Sequence, residues 1–315
     1  MNTIKSCRAS TFVASAAAFI LATLMGAAAR ADSAPPVLGS AAALTARFIE
    51  LKSAFASNQF KRPLVLTSKE GSDLLAGDIY AIVDHSFAAA SAALSQPGQW
   101  CEVMILHLNT KFCKPTIEAS GPQLHVSIGK KFDQPVDKAY RVDFNYQLAA
   151  RTEHYLQVRL SAEEGPLSTR DYRIILEATP AGPGQTYMRL TYSYGYGTMA
   201  QLAMRAYLAT VGRNKIGFTM VNEAAEGQPQ PVGGMRGVVE RNTMRYYLAI
   251  ESYLGALSAP PATRAEKGFK DWFQATETYP RQLHEMERAE YLDMKRTEYQ
   301  RQQSQRDPLA RVEPQ

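Results

Sequence analysis

Between Val103 and Tyr196 apolar and polar residues alternate with a period of two. Leu124, Val126 and Ile128 are interleaved with Gln123, His125 and Ser127. Val142, Phe144, Tyr146 and Leu148 are interleaved with Asp143, Asn145 and Gln147. Leu156, Val158 and Leu160 follow the same rule, as do Tyr172, Ile174 and Leu176, and finally Met188, Leu190, Tyr192, Tyr194 and Tyr196. Alternation of this kind marks strands with one buried face. The runs are separated by Gly121-Pro122, Pro135, Gly165-Pro166 and the Pro/Gly cluster at 180–184, which are turn formers. Links this short suit antiparallel neighbours, because a parallel crossover takes about a dozen residues or more.

On both sides of this stretch the period is helical. Leu44, Phe48, Leu51 and Phe55 predict an amphipathic first helix. A turn at Gly71–Gly77 leads to a strand over Asp78–Val83. Ser86 is placed to cap an Ala-rich helix over Phe87–Leu94, and Pro97-Gly98 ends it before a short element through Trp100. After Gly197 helices are predicted over Met199–Val211, over Val239–Leu257, over Ala265–Tyr279 with Phe269, Trp272 and Phe273, and from Pro280 onward. Ile216–Val221 reads as a short extra strand and 226–237 as a Gly/Pro-rich loop. The segment from Gln300 is polar and expected to be disordered.

The N-terminus changes the setting. Lys5 and Arg8 precede an uncharged Ala-rich run, and Ala29-Arg30-Ala31 supplies an A-x-A pattern. Residues 1–31 therefore read as a secretory signal peptide with cleavage near Ala31, the competing reading being an uncleaved anchor. The expected location is the periplasm or the exterior, which disfavours nucleotide cofactors. Formal net charge is +5, and loss of Lys5, Arg8 and Arg30 leaves +2. That small charge predicts neither a nucleic-acid nor an anionic-membrane partner. No later segment is apolar enough to span a bilayer. Cys101 and Cys113 remain after cleavage, and an exported chain invites a disulfide between them. On one straight strand they would lie roughly 40 Å apart, whereas a bridge needs Cα atoms within about 7 Å. The disulfide thus requires a turn, for which His107–Asn109 is the candidate. Two buried thiols are the alternative.

Strand, two short helices, a run of antiparallel strands and a helix is an order that resembles the START-like, or helix-grip, superfamily. The matching stretch is about Asp78–Val211. Gly77-Asp78-Ile79-Tyr80-Ala81-Ile82-Val83-Asp84-His85-Ser86-Phe87 is similar to that superfamily's first strand and the start of its first helix, and Gln96-Pro97-Gly98-Gln99-Trp100 to the tryptophan-bearing end of its second. The resemblance implies an α+β fold in which a curved antiparallel sheet of about seven strands grips a helix over an apolar cavity. It also implies binding of lipids, sterols or polyketides, with catalysis in some members. Either Met199–Val211 or Val239–Leu257 is the expected closing helix. The predicted organisation is a signal peptide (1–31), a linker and helix (32–76), the START-like domain (77–260) and a helical extension (261–315).

The candidate ligand residues are Tyr146, Tyr172, Tyr192 and Tyr194, whose rings have apolar bodies and polar tips, with Arg241 and Arg245 at i, i+4 as a clamp for an anionic head group. His85 and His107 are the candidate bases if the cavity is catalytic. Gly195-Tyr196-Gly197-Thr198-Met199-Ala200 matches G-x-G-x-x-A, but the strands before it are predicted antiparallel and no acidic residue follows at the right distance, so it reads as a turn. His284-Glu285-Met286-Glu287-Arg288 lacks the second histidine of a zinc helix. Neither cofactor nor metal is expected. The functional expectation is non-covalent binding or transport of a hydrophobic or amphipathic small molecule. The alternatives are a scaffold whose C-terminal helices bind an envelope protein, or a cavity enzyme.

Overall fold

The computed structural model describes residues 39–198, 201, 202, 204, 206, 210, 214–222 and 229–306. The expected signal peptide, most of the helix expected at Met199–Val211 and the last nine residues lie outside the described residues. Val37–Gln315 forms one compact unit.

The chain begins with α1 (Ala41–Glu50), capped by the Ser40 hydroxyl, and α2 (Lys52–Ala56). The predicted first helix is thus interrupted at Leu51. Two strands follow, β1 (Leu64–Glu70) and β2 (Leu74–Val83), then α3 (Phe87–Leu94) and α4 (Pro97–Met104). Ser86 caps α3 as expected. Pro97 opens α4, where its missing N–H costs nothing. The alternating region becomes β3 (Thr110–Glu118), β4 (Gly121–Ile128), β5 (Tyr140–Arg151), β6 (Leu156–Glu164), β7 (Thr169–Gly182) and β8 (Gln185–Tyr196). A two-stranded ribbon, β9 (Met220–Asn222) with β10 (Pro229–Pro231), precedes the long helix α5 (Gly234–Ala256). Then come α6 (Arg264–Thr276), the single turn α7 (Pro280–Leu283) and α8 (Arg288–Arg306).

The eight long strands form one antiparallel sheet in the order β1-β2-β8-β7-β6-β5-β4-β3. This is the α+β, helix-gripping arrangement that the START-like resemblance implies, with one strand more than the seven anticipated. The addition is β1, which falls where the sequence reads as linker. It pairs only with β2, from Leu64↔Ala81 to Glu70↔Leu75, so it is an edge strand whose apolar pattern stops after Leu66. The inner face carries Leu75, Ile79, Leu124, Val126, Val142, Phe144, Leu160, Ile174, Leu176 and Leu190, all buried. Helix α5 lies against β1, β2 and β8. Its approach depends on Gly77 of β2, since a Cβ there would stand 2.3 Å from the Thr243 Oγ1.

The turn required for the disulfide exists. After α4 the chain reverses through His107–Asn109, the Thr110 N–H donates to the His107 carbonyl at 3.0 Å, and β3 starts. Cys101 and Cys113 are thereby brought to 5.2 Å between Cα atoms and are bridged. Closing a loop of this length is worth about 3 kcal/mol through the unfolded chain.

The C-terminal helices pack into the same unit rather than trailing from it. The Trp272 indole donates to the Arg245 carbonyl at 3.1 Å, and the Tyr291 hydroxyl to the Leu106 carbonyl at 2.7 Å. On α8 Lys295 and Glu298 are fully buried, as is Lys111 on β3. Glu298 accepts from Lys111 and Lys295, each at 2.8 Å. The Lys295 ammonium also donates to the carbonyls of His107 and Thr110, and that of Lys111 to Leu108. The Gln302 side chain accepts from the Cys113 N–H at 2.8 Å. The helix therefore continues to Arg306, past Gln300 where disorder was expected, because its polar residues answer polar groups at the sheet edge.

Candidate functional site

The four tyrosines singled out in the sequence all belong to the inner face. Tyr146 follows Val142 and Phe144 on β5, Tyr172 starts the buried row of β7, and Tyr192 and Tyr194 precede Tyr196 at the end of that of β8. Tyr172 stacks on Tyr194 with centroids 5.3 Å apart and planes at 14°. Tyr192 touches Tyr194 at 5.7 Å and Tyr246 of α5 at 5.2 Å. The Tyr172 hydroxyl is 2.7 Å from the Thr169 hydroxyl. Burial raises the phenol pKa of each of these four tyrosines, so all are neutral hydroxyls at physiological pH. Tyr146, pushed up to about 12, holds a buried hydroxyl with no hydrogen-bond partner among the described residues.

Arg241 and Arg245 are one helical turn apart on α5, and both are buried. Their guanidinium groups meet the protein itself. Arg241 donates to the Ile216 carbonyl at 3.1 Å. Arg245 donates to the Leu283 carbonyl and, at 2.8 Å, to Glu285. Glu285 also meets Lys131 at 2.6 Å and Lys215 at 2.8 Å. Burial opposes its ionisation, but Arg245 and Lys131 outweigh that cost and hold the carboxyl down at about 2. Arg245 thus fastens the segment around Glu285 to α5, and Arg241 fastens the segment at Ile216.

The two histidines differ. His85 is half-buried at the start of α3, and its carbonyl accepts from Thr186 at 2.7 Å. His107 is buried, stacked on Tyr246 at 4.8 Å and beside Trp272 at 6.3 Å. Its Nδ1 accepts from the Asn109 N–H at 3.2 Å. The neutral ring therefore carries its proton on Nε2, which lacks an acceptor among the described residues. Desolvation, reinforced by Arg245, Lys295, Lys131 and Lys111, lowers its pKa well below 6.5. The unfolded chain then takes up a proton that the folded one refuses, so this contribution is present above about pH 6.5 and is lost as pH falls. Urea unfolding of the protein between pH 7.5 and 5.5 should lose on the order of 1 kcal/mol per pH unit below 6.5. His107→Gln should flatten that slope, and an unchanged slope would assign it to other groups.

Open apolar space lies elsewhere. A recess of about 220 Å³ sits among α4, α5, α6 and α8. Leu106, Leu257, Ala265 and Phe269 make its walls, Tyr299 closes one side, and Glu102, Tyr253 and Arg264 supply its polar groups. The Tyr253 phenol is pushed up to about 12 by burial and by Glu102, against the opposing field of Arg264. None of these residues was a candidate ligand residue in the sequence, where Phe269 stood out only as an apolar position of a predicted helix. Tyr253 and Leu257 do share a face at i, i+4, but the recess needs four helices to converge, and no local period encodes that. Among the described residues no group of acidic, His or Cys side chains is arranged to hold a metal ion, and no helix is long and apolar enough to cross a membrane.

Neither a protein-family model nor a curated protein matches the chain. Solved structures do. A conserved protein from Geobacillus kaustophilus matches with a TM-score of 0.34 and 11% identity over 57% of this chain and 95% of its own. Truncated norcoclaurine synthase from Thalictrum flavum matches at 0.32 and 15%, over 46% and 89%. Human StAR-related lipid transfer protein 5 matches at 0.28 and 11%, over 54% and 89%.

Proposed function

We propose that this protein binds a small hydrophobic or amphipathic molecule without covalent chemistry, and that the recess among α4, α5, α6 and α8 is its seat. The observation that carries the reading is the recess itself, an apolar pocket with a carboxylate, a phenol and a guanidinium among its lining groups. Sites of that composition hold an apolar body and orient a polar end. Its size suits a molecule of one or two rings or a short chain, not a protein helix. The inner face offers less room, because Tyr172, Tyr192, Tyr194 and Tyr246 already fill it with their own contacts. A second seat is favoured only by the unpartnered hydroxyl of Tyr146, which a ligand's polar atom would satisfy. The disulfide supports action in an oxidising compartment such as the periplasm.

The test uses the fluorescence of 1-anilinonaphthalene-8-sulfonate, an apolar ring system with an anionic end. Saturable binding by the native protein is expected. Ala265→Trp, which fills the recess, should weaken it about tenfold or more, the loss of roughly 1.4 kcal/mol, while Tyr146→Phe leaves it unchanged. The opposite pattern moves the seat to the inner face. No saturable binding of the dye, or of a panel of short-chain fatty acids and one- and two-ring phenols, removes the reading.

A further inference from the structure

The outer face of the sheet carries an arrangement that the binding reading does not use. His125 points outward from β4, between the inward Leu124 and Val126. In the ladder it stands directly across from Asp143 of β5 on one side and Lys114 of β3 on the other, with Thr116 diagonal to it. The Thr116 Oγ1 is 2.9 Å from the His125 Nε2, and the His125 Nδ1 is 2.6 Å from an Asp143 carboxylate oxygen. Hydroxyl, imidazole and carboxylate thus form one hydrogen-bonded line in the order that nucleophilic catalysis requires.

We propose that Thr116, His125 and Asp143 are the nucleophile, base and orienting acid of a second site, one that hydrolyses small polar esters on the outer face.

The protonation states favour this order. Partial burial opposes ionisation of Asp143, but hydrogen bonds from Arg141 and His125 outweigh it and hold the carboxyl below its ordinary value. The Asp143 oxygen at 2.6 Å is nearer to Nδ1 than the Arg141 Nη2 at 2.8 Å; with the carboxylate as its partner Nδ1 carries the proton, and the Nε2 lone pair is left for the Thr116 hydroxyl. Thr116 is β-branched and half-buried, so few rotamers compete with the one observed. The Arg141 guanidinium lies against the same ring, its Nη2 2.8 Å from Nδ1 and 3.4 Å from Nε2. Its Nε donates to the Asp143 carboxylate at 2.7 Å and so holds that oxygen against the ring. Glu118 reaches Nε2 at 3.4 Å and competes with Thr116 for it when the ring is protonated. A polar cleft of about 410 Å³ borders the Asp143 end of the line, with Tyr140, Arg141, Asn145 and Glu163 among its other walls. That lining selects a polar acyl group over a lipid chain.

The reaction balances with water alone. The Thr116 oxygen attacks the ester carbonyl carbon as its proton passes to Nε2. Collapse of the tetrahedral intermediate breaks the ester C–O bond, and the leaving alcohol takes that proton. Water then attacks the acyl-threonine, giving one proton to Nε2, which returns it to the Thr116 oxygen as the acid departs.

The experiment is hydrolysis of 4-nitrophenyl acetate by the full chain, with peptide mapping after exposure to a fluorophosphonate probe. Expected are turnover above the buffer rate, a probe adduct on Thr116, about 100-fold loss in Thr116→Ala and in His125→Gln, and retained turnover in Thr116→Ser. Ala265→Trp should leave hydrolysis unchanged, so failure of this site and failure of the recess are read separately. Turnover at the buffer rate, or turnover that survives Thr116→Ala, overturns the proposal. The latter outcome would mark His125 as an imidazole acting without Thr116.

Discussion

Glu298→Gln is expected to be the most damaging single substitution in this protein. Lys111, Lys295 and Glu298 are fully buried, and one carboxylate serves both ammonium groups. The amide would leave two buried cations with carbonyl partners but no opposing charge. Breaking a buried ion pair from one side costs about 3–5 kcal/mol, which for a domain of this size lowers the melting temperature by on the order of 10 °C. The damage should centre on α8. Its other anchors, Tyr291 on the Leu106 carbonyl and Gln302 on the Cys113 N–H, depend on the helix staying in place. Limited proteolysis should therefore cut first between Arg288 and Arg306. Replacing the trio together, Lys111→Met, Glu298→Leu and Lys295→Met, should restore most of the lost stability, because uncharged side chains of similar volume avoid the desolvation cost. If Glu298→Gln melts like the native protein, the trio does not anchor the helix.

The second large effect is expected at Gly77. Helix α5 crosses β2 so closely that a methyl group at Gly77 would meet the Thr243 Oγ1 at 2.3 Å and its Cβ at 3.2 Å. Thr243 is held there by its own bond to the Val239 carbonyl at 2.7 Å. Gly77→Ala must push helix from sheet or force the threonine off its rotamer, at roughly 1–3 kcal/mol. The gain of a residue better suited to a strand, about 0.5–1 kcal/mol, does not offset this. Adding Thr243→Ala removes the nearer clash and should recover more than half of the loss in a double-mutant cycle. Additive losses in the pair would show that helix and sheet do not press on each other at this point. Displacement of α5 would also disturb Tyr253 and Leu257 at its far end, so weaker dye binding in Gly77→Ala is a further expectation.

Where the sequence could be read and where it could not follows from the range of the interactions. The period-two runs determined five strands and their inward faces. Register allows only one alternation with a buried side, and a shift by one residue would turn Val142, Phe144 and Tyr146 outward. Turn residues settled the antiparallel order, and a bridge between Cys101 and Cys113, which the sequence left open beside two buried thiols, called for the reversal found at His107–Asn109. All of these are local or nearly local constraints. The edge strand β1 escaped because it pairs with one neighbour, and its apolar pattern ends after Leu66. Tertiary structure alone decided the rest. Lys295 and Glu298 look like a solvated helix face until β3, nearly 190 positions away in the chain, brings Lys111 against them. Arg241 and Arg245 look like a clamp until Ile216 and Glu285 occupy them. Thr116, His125 and Asp143 come from three strands and align only through cross-strand register. The recess arises where four helices fail to close on one another. Burial and pairing of charge depend on which distant segments meet, and a chain's own periodicity carries no record of that.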